Sequence, residues 1–166
     1  MKRETKIQSD LLYEGLGFPI HLQNCPMVKI YGEWMPAIDL SKLQDVMAVE
    51  VTLNPGRLCG AEVRFLRIFF GMTLQALAEE FGVTRQAVAK WERKGNELTG
   101  MGLAAERDFR MFALIRLDIE PEQLVRARKL LGPALQRSRI RRHIVNPGMI
   151  RNRRRIVQRR LQALSA

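Results

Sequence analysis

Twenty-two consecutive residues, Gly71 to Glu92, restrict the possible folds of this chain more than any other stretch. The run Gly71-Met72-Thr73-Leu74-Gln75-Ala76-Leu77-Ala78-Glu79-Glu80-Phe81-Gly82-Val83-Thr84-Arg85-Gln86-Ala87-Val88-Ala89-Lys90-Trp91-Glu92 divides into two short helical segments around a glycine corner. Thr73 and Thr84 each stand at an N-cap position, where a hydroxyl accepts an N–H left unpaired at a helix start. Leu77, Ala78 and Phe81 recur at helical spacing, and Gly82 tolerates the positive φ of a tight turn. Ala78 is small where the second segment must cross. Val88 and Trp91, three apart, turn one face of that second segment inward.

The opposite face bears on function. At about 100° per residue it carries Gln86, Ala89, Lys90 and Arg93, and none of these is acidic. Two crossed helices with such a free face read as a helix-turn-helix. An amide, two cations and a small residue between them suit base edges and phosphates in a DNA major groove. The plainer alternative is a solvated helix face, because Gln, Lys and Arg are ordinary surface residues.

Gly71 to Glu92 resembles the helix-turn-helix of the Xre/Cro-like repressors. The longer run from Leu58-Cys59-Gly60-Ala61-Glu62-Val63-Arg64-Phe65-Leu66-Arg67 through Trp91-Glu92 is similar to the DNA-binding half of MqsA-type antitoxins. The resemblance implies a five-helix Xre/Cro-like domain. It also implies that Gln75 holds a phosphate and that Arg85, Gln86 and Lys90 approach bases or backbone. Upstream, Cys25-Pro26-Met27-Val28-Lys29-Ile30-Tyr31-Gly32-Glu33-Trp34 has the outline of the small zinc module of those antitoxins, but Val28 and Tyr31 stand where cysteines are wanted. A structural zinc site takes about four Cys or His ligands. Cys25, Cys59, His21 and His143 are scattered, so the expectation is a module without metal or cofactor, held by Phe18, Ile20, Leu22, Met27, Ile30, Trp34 and Ile38.

A chain of 166 residues with 46% hydrophobic content sustains one or two small cores. No apolar run approaches the ~18 residues of a membrane span, and Met1-Lys2-Arg3-Glu4 leads into polar sequence rather than a signal peptide. Its two cysteines make no disulfide framework and suit a reducing compartment, so the expected location is cytoplasmic, with no membrane partner.

The net charge of +11 is unevenly placed. Residues 1–56 hold 5 basic and 7 acidic groups, residues 57–120 hold 10 and 9, and residues 121–166 hold 13 and 1. The arginines of the last segment cluster at Arg137 to Arg142, Arg151 to Arg155 and Arg159-Arg160. Such an end attracts polyanions by counterion release, and Arg suits phosphate forks. Three readings stay open: a DNA-backbone or minor-groove arm, a site for RNA or an acidic partner, or a solvated run. The spacing of Ile150, Val157, Leu161 and Leu164 makes part of it an amphipathic helix that can also pack on a partner subunit.

Along the chain, residues 1–16 read as polar and loose, and Gly17 to Ile38 as two short strands with a turn. Asp39 or Ser41 caps a helix through about Leu53, and Asn54-Pro55-Gly56 is a turn. A further helix spans about Ala61 to Phe70, with Phe65, Leu66 and Phe69 inward and Arg64 and Arg67 free for phosphates or for Glu92. Lys94-Gly95-Asn96 stops the second motif helix. Ala104 to Leu117 forms another, whose Phe109, Phe112, Leu114 and Ile115 serve a core or a dimer contact. Glu120-Pro121 begins one more helix that Gly132-Pro133 stops, and Asn146-Pro147-Gly148 splits the basic segment into two helical pieces. The expected architecture is mainly α. A small α+β N-terminal module spans 1–56, a helix-turn-helix domain 57–120 and a basic helical extension 121–166.

No phosphate-binding glycine loop, His-Glu-x-x-His or Gly-x-Ser-x-Gly occurs, and Cys59 reads as a cap substitute rather than a nucleophile. Glu79-Glu80 and Glu106-Asp108 read as solvated carboxylates, so no catalytic residue is expected. The function read from the sequence is that of a double-stranded-DNA-binding regulator, in the first place a repressor, working as a homodimer on an inverted repeat. Arg64, Gln75 and Thr84 position the backbone, and Arg85, Gln86 and Lys90 read bases, with Ala89 between them. Arg93 and Lys94 hold flanking phosphates. The alternatives are an antitoxin, whose residues 1–56 cap a small toxin protein, and an RNA-binding protein working through the basic segment.

Overall fold

A left-handed pair, Tyr31 at φ 50° and Gly32 at φ 86°, makes the tight hairpin turn that twists with the strands it joins. The strands are β2 (Ile20–Ile30) and β3 (Glu33–Pro36), antiparallel, with Lys29 opposite Trp34. The computed structural model describes residues 4–136, 142–149 and 153–165. A strand, β1 (Thr5–Tyr13), runs antiparallel on the other edge of β2, with Leu11 opposite Leu22. The expectation of a loose start through residue 16 is therefore corrected. β1 is exposed or half-buried throughout, so it lacks the clean apolar alternation that marks a strand packed on one face. β2 buries Ile20 and Leu22, then Cys25 and Met27, shifting its inward positions by one residue across Asn24, which sits at φ 53°.

Helix α1 (Leu40–Leu53) starts at Asp39, whose carboxylate accepts from the N–H of Lys42 at 3.2 Å. Every residue from Val46 to Leu53 is buried, because α2 (Gly60–Phe69), α5 (Leu103–Arg116) and α7 (Arg153–Ser165) all pack on α1. Between α2 and α5 lie α3 (Leu74–Glu80) and α4 (Arg85–Glu92). Residues 57–120 thus contain four α-helices, and α6 (Pro121–Leu135) packs on α5 beyond them. One apolar cluster joins Ile20 and Leu22 of the sheet, Leu43 and Met47 of α1, Leu77 and Val88 of the helix pair, and Leu131, Val157 and Leu161 of the later helices. All seven phenylalanines lie in one chain of ring contacts, from Phe18 through Phe65, Phe69, Phe70, Phe112 and Phe81 to Phe109.

The later part of the chain departs from expectation in several places. α6 continues past Gly132 to Leu135 with Pro133 inside it. Pro133 removes one helical hydrogen bond, but Leu131 and Leu135 are both buried and hold the last turn in place. Ahead of Asn146 the expected helical piece is a strand instead, β4 (His143–Val145), parallel to β2 and pairing His143 with Ile20. The basic run from Arg137 to Arg141 lies outside the described residues, as do Ile150 and Arg151. β4 and β3 share one edge of β2, opposite β1. In the expected N-terminal core, Ile30 and Trp34 are partly exposed at the hairpin tip, and Ile38 is half-buried. Ile115 faces solvent, while Phe109 and Leu114 of the same helix are buried. No helix among the described residues is long and apolar enough to cross a membrane.

Candidate nucleic-acid interface

Both threonine caps form. The Thr73 hydroxyl accepts from Ala76 N–H at 3.0 Å and the Thr84 hydroxyl from Ala87 N–H at 3.1 Å, which fixes where α3 and α4 begin. Gly82, at φ 60°, makes the corner between them. Leu77, Ala78 and Val88 are buried at the crossing and Trp91 is half-buried beside them.

The other side of α4 is open. Thr84, Arg85, Gln86, Lys90, Arg93 and Lys94 are exposed, and Ala89 is half-buried between them. Gln75 is exposed on the first turn of α3, where its amide donates to Glu79 Oε1 at 2.8 Å. Arg64 projects from α2. With Arg93, Ala89, Arg67, Leu74 and Glu92 it lines a cleft of about 280 Å³. The fold therefore brings Arg64 and Arg93 to one opening beside α4, although they lie on separate helices. Arg67 is not free: its guanidinium forks onto Glu92 and also donates to the carbonyl of Met72 at 2.8 Å. The Glu92 hydrogen bonds push the Arg67 guanidinium further up from its usual value.

The start of α2 is seated on the end of α4. Gly60 N–H donates to Glu97 carbonyl at 3.1 Å and Ala61 N–H to Gly95 carbonyl at 2.7 Å, so two donors at a helix start are satisfied by the chain leaving α4. A Cβ on Gly60 would come within 2.3 Å of the Trp91 carbonyl oxygen. Glu62 accepts from Cys59 N–H at 2.8 Å and meets His143 Nε2 at 2.5 Å, which ties α2 to β4.

Beneath this assembly lies a buried charge cluster that the sequence reading placed in solvent. Glu106 has no exposed surface. It accepts from Arg57 Nε at 2.6 Å, from Leu58 N–H at 2.9 Å and from Arg110 Nη2 at 3.1 Å. Arg110, equally buried, donates to the carbonyls of Val51, Thr52, Asn54 and Gly56, capping the C-terminus of α1 from α5. Burial first, and the neighbouring Arg57 charge after it, drive the Arg110 guanidinium below its usual value, while Glu106 and Glu62 oppose that shift. The clue was available in the spacing. Glu106 and Arg110 share the inward stripe of Phe109, Ala113, Leu114 and Leu117, and a charged pair four apart on an apolar stripe signals a satisfied core pair. Asp108, in contrast, is exposed, as are Glu79 and Glu80.

His21, Cys59 and His143 line one cleft with Glu62, while Cys25 is buried apart from it. His21 meets Asp10 at 3.1 Å, His143 meets Glu62, and among the described residues no group of three or more potential ligands is placed to hold a metal ion. Cys59 is buried at the N-cap of α2, and its thiol is pushed up to about 12, chiefly by that burial and by Glu62 nearby. It is a thiol and not a thiolate at neutral pH.

The described arginines of the basic segment serve the fold in large part. Arg153 reaches Asp45 at 2.8 Å, Arg154 reaches Glu120 at 2.9 Å, and Arg159 and Arg160 both meet the buried carboxylate of Glu50. Between them Ile156, Val157 and Leu161 are buried, so the amphipathic face of α7 packs on α1 and α6 of its own chain. Arg155 remains exposed.

Residues 63–100 match the helix-turn-helix family model, a DNA-binding regulatory domain of Xre-like type, and the match takes in α3 and α4 and most of α2. No curated protein and no solved structure matches the chain, and the likeness to MqsA-type antitoxins finds no support.

Proposed function

We propose that this chain is a sequence-specific regulator of transcription that binds double-stranded DNA as a homodimer on an inverted repeat and represses by occupying a promoter. The observation that carries the reading is the free face of α4: Gln86, Lys90 and Arg93 stand clear of the protein on a helix whose opposite side is anchored by Val88. α4 is the recognition helix, with Arg85, Gln86 and Lys90 toward bases and Ala89 small enough for close approach to a thymine methyl. Gln75 and Thr84 meet the backbone at the motif's entrance. Arg64 and Arg93, which line the same cleft, hold one phosphate strand, and Lys94 holds the next.

One recognition helix spans only a few base pairs, so two copies a helical turn apart supply the specificity. The test is selection of bound fragments from a random duplex library by the full chain. A palindromic motif with half-sites about 10 base pairs apart supports the reading, and no enrichment over input overturns it.

A further inference from the structure

The cleft that His21, Cys59, Glu62 and His143 line has a volume of about 500 Å³ and opens where separate parts of the chain meet. Leu12 near the end of β1, with Phe18 and Pro19 ahead of β2, gives it an apolar side. Asn96 enters from the stretch that leaves α4, and Arg142 from the residue before β4. Small-molecule sites have this size, between about 300 and 1,000 Å³, and this make-up of apolar walls with a few convergent polar groups. None of these residues belongs to the recognition face of α4.

The polar groups that are still open select the charge of a ligand. Both oxygens of Glu62 are engaged, one with His143 Nε2 and the other with Cys59 N–H. The next two N–H groups at the start of α2, those of Gly60 and Ala61, are held by the carbonyls of Glu97 and Gly95. His21 turns Nδ1 to the Asp10 carboxylate. There remain the Arg142 guanidinium and the Asn96 amide, both on exposed residues and, among the described residues, both without a hydrogen-bond or ion-pair partner. A guanidinium fork matches a planar carboxylate. One open cation balances one negative charge, and the Glu62 carboxylate on the same cleft disfavours a second.

We infer that this cleft binds a small organic acid, with one carboxylate on Arg142 and Asn96 and an apolar body against Leu12, Phe18 and Pro19. The inference rests on the reading of α4 as a recognition helix only for its purpose, which is to give the regulator a chemical input. Asn96 stands between Gly95 and Glu97, the two residues whose carbonyls seat α2 on the end of α4. A ligand held by Asn96 therefore bears directly on that joint.

Two-dimensional amide NMR of the full chain, titrated in turn with octanoate, 3-phenylpropionate and indole-3-propionate, tests the inference without DNA. At least one acid is expected to bind saturably with a Kd of about 1 mM or tighter. The signals that move should be those of Cys59, Asn96 and His143 and, through the joint, Gly95 and Glu97. The matched amide, which has lost the charge, should bind about tenfold more weakly or worse. Arg142→Ala, and Leu12→Glu with its like charge on the apolar side, should each raise the Kd of the acid by about tenfold or more. Both positions are exposed, and circular dichroism verifies folding. Arg155→Ala, at an exposed arginine outside the cleft, should stay within about twofold of wild type, which separates a site from general attraction to a basic chain. No saturable shift with any of the three acids, or shifts that avoid the cleft, overturns the inference. So does equal affinity for acid and amide, a folded Arg142→Ala or Leu12→Glu that binds as the wild type does, or an Arg155→Ala that loses as much as Arg142→Ala. Library selection reads α4 independently of every one of these results.

Discussion

Arg67 on α2 grips Glu92 at the end of α4 as a two-pronged fork, with Nε donating to Oε1 at 2.6 Å and Nη2 to Oε2 at 2.9 Å. Because the third guanidinium nitrogen holds the carbonyl of Met72 ahead of α3, one side chain fixes both helices of the motif relative to α2. Arg67→Ala leaves Glu92 without its partner in a largely enclosed place. It should cost about 2–4 kcal/mol of stability by urea unfolding. Arg67→Lys, which keeps the charge and loses the fork, should recover only part of that loss.

The recognition face is testable by contrast. Gln86→Ala should cost about 1–3 kcal/mol on the selected duplex and relax discrimination at one base pair, while Lys94→Ala should weaken all duplexes alike and reduce the salt slope by about one. Gel-shift titrations at several salt concentrations separate the two patterns. Equal affinity of Gln86→Ala and wild type for the selected site contradicts the assigned face.

Arg110 and Glu106 carry a stability prediction with a built-in control. Arg110→Met strands a buried carboxylate and removes the donors to four carbonyls, so a loss of about 3–5 kcal/mol is expected. Arg107→Ala, one helical turn away with a partly exposed pairing to Asp108, should change stability by less than about 0.5 kcal/mol. Chemical denaturation of both variants decides the matter, and equal losses would contradict the clamp.

Gly60→Ala should act at a distance from the DNA face. Its new methyl would press on the carbonyls of Trp91 and Glu92, so α2 must move off the end of α4. A cost of about 1–3 kcal/mol in thermal or chemical unfolding is expected, together with weaker binding to the selected duplex. Thr84→Ala, which removes only the cap of α4, should cost about 1 kcal/mol.

The helix pair was legible because its signals are local. Thr73, Thr84, Gly82 and Val88 each act within one turn of their own position, and each does what its residue type dictates. The arrangement of Arg64 beside Arg93 followed only from tertiary packing. β1 was missed because its half-buried positions, Gln8, Leu11 and Tyr13, do not keep the spacing of two that marks a strand, and β4 because its partner, β2, lies more than a hundred residues earlier in the chain. Glu106 and Arg110 escaped notice for a different reason. Their charges argue for solvent one residue at a time, and only as a pair on an apolar stripe do they argue for the interior.

β4 also has a bearing on biosynthesis. Residues 20–22 must wait, as the chain is made, for His143 to Val145 before that edge of β2 is closed, and the buried Glu62 waits for His143 over the same interval. Helices α3 and α4 draw on neighbours close in sequence and take shape early on the ribosome, whereas the sheet is completed only after the whole helix-turn-helix has been translated. A nascent chain halted after the helix-turn-helix but before Val145 therefore displays a formed helix pair beside an unfinished sheet, the kind of half-made molecule that chaperones and proteases are built to find.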